Sequence, residues 1–305
     1  MANGGRSRTG LWVLIGGGAF FIFVLAVYTL VYLTLRGQPG TQYVVTGSGD
    51  KIAVVEIEGV ILDPQPTVRD LKKFGDDSSI KAIIVHLNTP GGSAAASEEI
   101  YKEVRRIRDE KKKRIVADIA IVGASGGYYV ASGTNKIFAN DASVVGSIGA
   151  IMDWYNYGDL VRWAKLKEEV IKSGEFKDTG DPMRELTPAE RAYLQGMVNN
   201  MKDQFVAAIA SGRGLKVEDI VPLADGRVWT GQQAMTLKLI DQIGDFEAAV
   251  KDTANAVGIK GEPSLVRPAK DRHSLLDLVF GDASAWLPDR AKLLQKNPGF
   301  YFLWK

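Results

Sequence analysis

The chain has 305 residues, 46% of them hydrophobic and 24% charged, with a formal net charge of +2. That is the composition of an ordinary folded protein of one or two domains, and the charge gives no reason to expect nucleic acid as a partner. There is no cysteine and there are only two histidines, His86 and His273, which excludes disulfides, thiolate nucleophiles and Cys-based zinc sites.

Residues 11–35 carry no charge. At ~1.5 Å per helical residue this stretch spans a ~30 Å hydrocarbon core with some tilt. A cleaved signal peptide has a shorter apolar region, ~7–15 residues, ending in a small-x-small site. Here the run continues through Tyr28, Tyr32 and Leu35 into Arg36, so it reads as a transmembrane anchor. Arg6 and Arg8 precede it, and only Arg36 follows before Lys51. That bias places the N-terminus, residues 1–10, in the cytoplasm and the rest of the chain outside. Residues 36–50, with Gly37, Pro39, Gly40, Gly47 and Gly49, read as a linker.

From Lys51 onward short apolar runs alternate with amphipathic helices. Residues 52–57 and 82–87 are compact β-branched runs, as buried strands require. The loop Asn88-Thr89-Pro90-Gly91-Gly92-Ser93 follows, and Ser93 is placed to cap a helix with Ile100, Val104 and Ile107 on one face. The cations from Lys111 to Arg114 read as the solvated end of that helix. A strand over 114–122 runs into Gly123-Ala124-Ser125-Gly126-Gly127-Tyr128-Tyr129, and another covers 136–139. Residues 144–151 are small and Gly-rich, and 170–173 read as a short strand before a loop over 174–183. Thr187-Pro188-Ala189-Glu190 and Thr230-Gly231-Gln232-Gln233 are capping boxes, the first opening a helix with Leu194, Met197, Met201 and Phe205 on one face. Repeated strand–helix units imply an α/β layered fold with one catalytic domain.

Ser125 lies between glycines at a strand-to-helix transition. A nucleophilic Oγ must project from a tight turn, and the attacked carbonyl must come close to backbone; glycine permits both. The Gly126 N–H, at a helix start, is a candidate oxyanion donor. Serine also needs a base. His86 lies inside an apolar strand and reads as a satisfied core histidine. His273, in Lys270-Asp271-Arg272-His273, completes a Ser–Asp–His order, but no His-Gly-Gly-Gly oxyanion motif accompanies it. A lysine serves only when desolvation or nearby cations lower its pKa from ~10.4 toward neutrality. Lys177, in a loop of small residues, and Lys172 both remain candidates.

The ordered set Asn88-Thr89-Pro90-Gly91-Gly92, Ala124-Ser125-Gly126-Gly127-Tyr128-Tyr129, Val145-Gly146-Ser147-Ile148-Gly149 and Ser173-Gly174…Lys177-Asp178 resembles the signal peptide peptidase A (protease IV-type) family of membrane-anchored bacterial peptidases. The likeness covers residues 51–257, including Pro182-Met183-Arg184, Gly212-Arg213-Gly214 and Ala224-Asp225-Gly226-Arg227-Val228, and leaves 258–305 as a C-terminal extension. The resemblance implies a spiral of β-β-α units related to the Clp protease proteolytic subunit and the crotonases. It implies Ser125 as nucleophile, Lys177 as general base and Ser147 as the group that orients the lysine. The Gly92 N–H would form the oxyanion hole, with Gly91 shaping the loop and Gly126 as partner. It further implies a homo-oligomeric ring near eight subunits, each carrying both Ser125 and Lys177. The expected substrates are remnant signal peptides and other apolar peptides, with no metal, nucleotide or other cofactor. The expected place is the bacterial cell membrane, single-pass, with the catalytic domain extracytoplasmic. The apolar end Gly299-Phe300-Tyr301-Phe302-Leu303-Trp304-Lys305 reads either as packing on the domain or as a tail that docks in an apolar groove, such as a substrate site, and limits activity.

Overall fold

The computed structural model describes Gly17, Gly18 and residues 20–29, 43–268 and 300–304. The chain forms two compact units, Met1–Gln42 with Ala269–Ala283, and Tyr43–Pro268 with Ser284–Lys305. In the first unit, 20–29 is helical with Phe20, Phe21, Ile22 and Phe23 exposed. Among the described residues no helix is long and apolar enough to cross a membrane; residues 11–16, 19 and 30–35 of the expected span lie outside them.

The second unit is a mixed α/β body. In chain order its elements begin with β1 (Tyr43–Thr46), β2 (Lys51–Glu58), α1 (Gln65–Asp76), β3 (Ile80–Thr89), β4 (Gly91–Ser93), α2 (Ala94–Asp109) and β5 (Arg114–Ala124). Then come α3 (Gly126–Ser132), β6 (Lys136–Ala139), β7 (Val144–Gly146), β8 (Ile151–Met152), α4 (Gly158–Trp163) and the long α5 (Pro188–Arg213). The last are α6 (Val217–Ile220), β9 (Val228–Thr230), α7 (Gly231–Thr236), β10 (Gln242–Ile243), α8 (Phe246–Ala256), β11 (Ser264–Pro268) and β12 (Phe300–Leu303).

The main sheet runs β1-β11-β2-β3-β5-β6-β10, and β7 and β9 continue it from the far end of β5. The strands from β11 to β10 pair in parallel, whereas β1 on β11 and β9 on β7 are antiparallel. A parallel sheet must be covered on both faces, so its strands are apolar throughout rather than alternating. On β3, Ile83, Val85 and Leu87 face the larger core under α1, α2 and α3, while Ala82 and Ile84 face the smaller one with Ala254 of α8. β5 is long enough to pair with β6 through Val116–Ile119 and then with β7 through Val122–Ala124. That change of partner turns the sheet where the Ser125 loop begins.

Several local expectations meet their structures directly. Ser93 accepts the Ala96 N–H at the start of α2, and Thr187 and Thr230 both close capping boxes. Three differ. Tyr43–Thr46, read as linker, is strand β1, because β11 gives it a partner along its whole length. Residues 170–173, read as a strand, form none: no strand among the described residues pairs with them, and Val170 and Ile171 stand in solvent. The Lys111–Arg114 cluster is more than a solvated helix end. Lys113 Nζ donates to the carbonyls of Phe74 and Asp77 at 2.7 Å each, closing the C-terminus of α1, and Lys111 pairs with Asp76 at 2.8 Å.

Candidate active site

Ser125 joins β5 to α3 with φ 52° and ψ −115°, a conformation that costs a non-glycine residue about 1–3 kcal/mol. Its surroundings hold it there. The Ser125 N–H donates to Gly146 O at 2.6 Å, and its carbonyl accepts from Tyr129 N at 2.8 Å. The side chain does not cap the helix it precedes, so Oγ is not committed to α3. The turn is packed from below: a Cβ at Gly127 would lie 2.6 Å from Thr89 Cγ2. Ser125 itself is 1% exposed.

Two further backbone turns converge on it. β7 lies beside β5 with Gly146 opposite Ala124, so Ser147 and Ser125 leave adjacent strand ends. Ser147 also has a positive φ, 53°, and its N–H donates to Arg227 O at 2.8 Å. The second turn is the Thr89 to Ser93 loop. Buried Thr89 accepts the Gly91 N–H at 3.0 Å and donates its own hydroxyl to Gly59 O at 2.5 Å. Gly91, φ 95°, is therefore a shaping residue whose N–H is already used. Its Cα abuts the nucleophile turn: an added Cβ would sit 2.5 Å from Gly126 N. Gly92 is equally confined, since a Cβ there would run into the Ile61 backbone.

The structure thus brings Ser125, Ser147, Gly91, Gly92 and Gly126 together. No contact links Lys177 to them among the described residues. Lys177 lies on the exposed turn after Gly174, and its side chain makes no hydrogen bond or ion pair among the described residues. Lys172 is tied to Asp178 at 2.6 Å. Asp178 is held below the usual carboxylate range, first by that lysine and then by Arg184. Arg184 also grips Glu190, which sequence reasoning had noted only as a capping residue. His86 bonds Asp118 at 2.6 Å and meets Phe246 edge-on at 5.2 Å, remote in role from Ser125. His273 lies outside the described residues. No group of three or more His, Asp or Glu among the described residues is arranged to hold a metal.

One element of the site had only a general signal in sequence, its apolar character. Strand β12 lies between β4 and β8 as the middle of a small antiparallel sheet. Phe302 faces Gly92, Leu303 faces Gly91, and Tyr301 faces both Ser93 and Ile151. Beyond it a cavity of about 510 Å³ is lined by Ser147, Ile151, Lys202, Asp225, Leu303 and Trp304.

The profile of peptidase family S49 matches residues 107–260. The chain belongs to peptidase family S49. Its likeness to the signal peptide peptidase A type is carried by named relatives. A protein of Synechocystis sp. described as a candidate protease is 36% identical over 240 residues, 78% of this chain and 86% of its own length. A candidate signal peptide peptidase SppA of Enterococcus faecium is 35% identical over 258 residues, 80% of this chain and 72% of its own. Protease 4 of Haemophilus influenzae is 31% identical over 217 residues, 68% of this chain but 35% of that longer protein. The S49 match begins within α2 and takes in the Ser125, Ser147 and Lys177 segments, whereas the Gly91-Gly92 loop lies ahead of it.

Proposed function

We propose that this S49 peptidase is a membrane-anchored serine endopeptidase in which Ser125 is the nucleophile and Lys177 the general base. The observation that carries the reading is the positive-φ Ser125 turn, held against the Gly91-Gly92 loop with a peptide strand already paired to that loop. Neutral Lys177 takes the Oγ proton as Ser125 attacks the scissile carbonyl. The Gly92 and Gly126 N–H groups receive the oxyanion, and Ser147 orients the lysine. Lys177 then protonates the leaving amine, and water releases the acyl-enzyme.

In a single chain Lys177 is exposed, and a lysine acts as base only where its charged form is disfavoured. A homo-oligomer, an octameric ring on the family pattern, supplies that burial. The segment bearing Lys177 supports this, because Leu160, Trp163, Leu166 and Ile171 are exposed apolar side chains that packing between copies would cover. The uncharged stretch 11–35 anchors the chain in a bacterial membrane with the N-terminus cytoplasmic and the catalytic body outside. Remnant signal peptides and other apolar peptides are then the substrates within reach.

The test is cleavage of an apolar fluorogenic peptide by the full chain in detergent micelles, beside Ser125→Ala and Lys177→Ala. Both variants should fold and lose at least about 10³ of the rate. A Lys177→Ala variant cutting at near wild-type rate removes Lys177 as base and turns attention to Lys172. Because the chain lacks cysteine, single cysteines placed before residue 11 and after residue 43 report the orientation by labelling from either side of the membrane.

A further inference from the structure

The turn bearing Lys177 is clasped to α5 by an arginine. Between the end of β8 at Met152 and the start of α5 at Pro188, the described chain forms only the short helix α4 and turns. Within the turn, the Lys177 N–H donates to Gly174 O and the Thr179 N–H to Phe176 O, both at 3.2 Å. Local bonds of this kind shape a turn but do not fix its place. Contacts to α5 do. Phe176 meets Tyr193 of α5 at 5.4 Å between ring centroids. Arg184 Nη2 donates to the Asp178 carbonyl at 3.1 Å and its Nε to the Asp178 carboxylate at 3.3 Å. It thus grips the residue after Lys177 by backbone and side chain together. The same guanidinium donates to both Glu190 carboxylate oxygens, at 2.5 and 2.9 Å. Glu190, in the first turn of α5, is 2% exposed and is fixed in turn by the Thr187 N–H at 2.8 Å. Only the planar fork of an arginine offers this set of donors in a rigid geometry; a lysine is a point charge. α5 packs on α3, the helix that starts directly after Ser125. Contacts therefore run from the Ser125 turn through α3 and α5 to the Lys177 turn.

The second half of the arrangement is electrostatic. Asp178 adjoins Lys177, and a free carboxylate there would favour the charged amine, the wrong form for a base. It is not free. Lys172 Nζ donates to Asp178 Oδ1 at 2.6 Å and to Glu175 O at 2.9 Å, while Arg184 takes the other carboxylate oxygen. Lys172 first and Arg184 second hold the Asp178 carboxyl below its ordinary range, and Arg184 is the main cause of the same effect on Glu190. Of the other charged groups around Asp178, Arg162 is paired with Asp159, Lys167 with Glu169, and Asp181 with the Met183 N–H; Glu168 completes the set.

We propose that Arg184 is a positioning residue for the general base: it clasps the Lys177 turn to α5, and with Lys172 it occupies the Asp178 carboxylate that would otherwise pair with the Lys177 amine. The proposal rests on the reading of Lys177 as base. Arg184 and Lys172 touch no reacting atom in it and act through the lysine.

The test is the pH dependence of apolar-peptide cleavage by the full chain in detergent. Arg184→Gln should lower kcat about 10–100-fold, the scale of misplacing a catalytic group by about 1 Å, with KM within about threefold of wild type. It should also move the acid limb of kcat/KM to higher pH by roughly half a unit, which is about a threefold loss below the limb, because the released Asp178 pairs with the amine. Lys172→Gln should move the limb without the large fall in kcat. Adding Asp178→Asn to either variant should return the limb to its wild-type position. Arg184→Lys keeps a cation beside Asp178 but not the fork, so the limb should stay while kcat still falls. An arginine of merely structural use would lower the melting temperature and move no limb. Because Arg184→Gln strands Glu190, the double variant Arg184→Gln/Glu190→Gln, which keeps a capping side chain at that position, is measured beside it and should show the same limb and kcat. A limb that stays in place in folded Arg184→Gln and Lys172→Gln, or an Arg184→Gln kcat within about threefold of wild type, overturns the proposal and leaves the Ser125–Lys177 reading standing. Near wild-type cleavage by Lys177→Ala removes both.

Discussion

Gly91→Ala isolates what the Gly91-Gly92 loop does. Two costs can be worked from the structure. At φ 95° an alanine is strained by about 1–2 kcal/mol or more. Its Cβ would lie 2.5 Å from Gly126 N, about 1 Å short of the ~3.5 Å at which non-bonded heavy atoms rest, and would also strike the space taken by the Phe302 carbonyl oxygen. The loop must retreat from the Ser125 turn, and Gly92, locked to Ile61 through the bridge between them, retreats with it. Losing one oxyanion donor costs about 10²–10³ in kcat. The expected outcome is a kcat/KM lower by at least that factor, with stability reduced by about 1–3 kcal/mol and the fold kept. Gly214→Ala is the matched control: φ 65°, the left-handed residue closing α5, with nothing within 4 Å of an added Cβ. It should lose about 1 kcal/mol of stability and no activity. The assay is cleavage of an apolar fluorogenic peptide by the full chain in detergent, with thermal denaturation alongside. A Gly91→Ala variant within fivefold of wild type would refute the reasoning.

Three other outcomes follow from particular contacts. His86→Ala should leave kcat within about twofold, since His86 has no part in the Ser125 turn, but should cost about 1–3 kcal/mol by stranding Asp118, which is 1% exposed; chemical denaturation measures the loss, and a collapse in kcat of a folded variant contradicts the core-histidine role. Arg184 and the Thr187 N–H hold the Glu190 carboxyl far below its ordinary range. A depressed folded-state pKa contributes stability above the unfolded value of ~4.3 that is lost as pH falls through the folded one, so the Tm advantage of wild type over Glu190→Gln should be full at neutral pH and shrink in acid. Thr187→Ala, which removes the cap of α5, should lower stability by about 1 kcal/mol, read from the same melting curves.

The central strands and caps were legible because each rests on a local pattern. The runs at 52–57 and 82–87 are apolar on both faces, Ser93 and the two capping boxes sit where orphan N–H groups need them, and the glycines around Ser125 mark a turn no other residue fits. What was not legible depends on partners distant in sequence. β1 is a strand only because β11 returns beside it from more than two hundred residues away. Residues 170–173 have strand composition but no strand to pair with among the described residues. Arg184, Asp178 and Glu190 form a network that spacing alone does not reveal. The role of Thr89 as acceptor for Gly91 N–H, and the packing of Phe302 against Tyr129 and Phe205, are properties of folded neighbours; the apolar end of the chain signalled either packing on the domain or docking in a groove, and Phe302 and Leu303 are its buried residues.

The pairing of Tyr43 with Pro268 has an evolutionary consequence. The chain enters this body at Tyr43 and leaves its main sheet at Pro268, at facing positions on one edge, and returns to the body as β12. The segment from Tyr43 to Pro268 can therefore be duplicated in tandem, or spliced between other segments, without unpicking a strand of the main sheet, provided that the strand filling the place of β12 is supplied again with each copy.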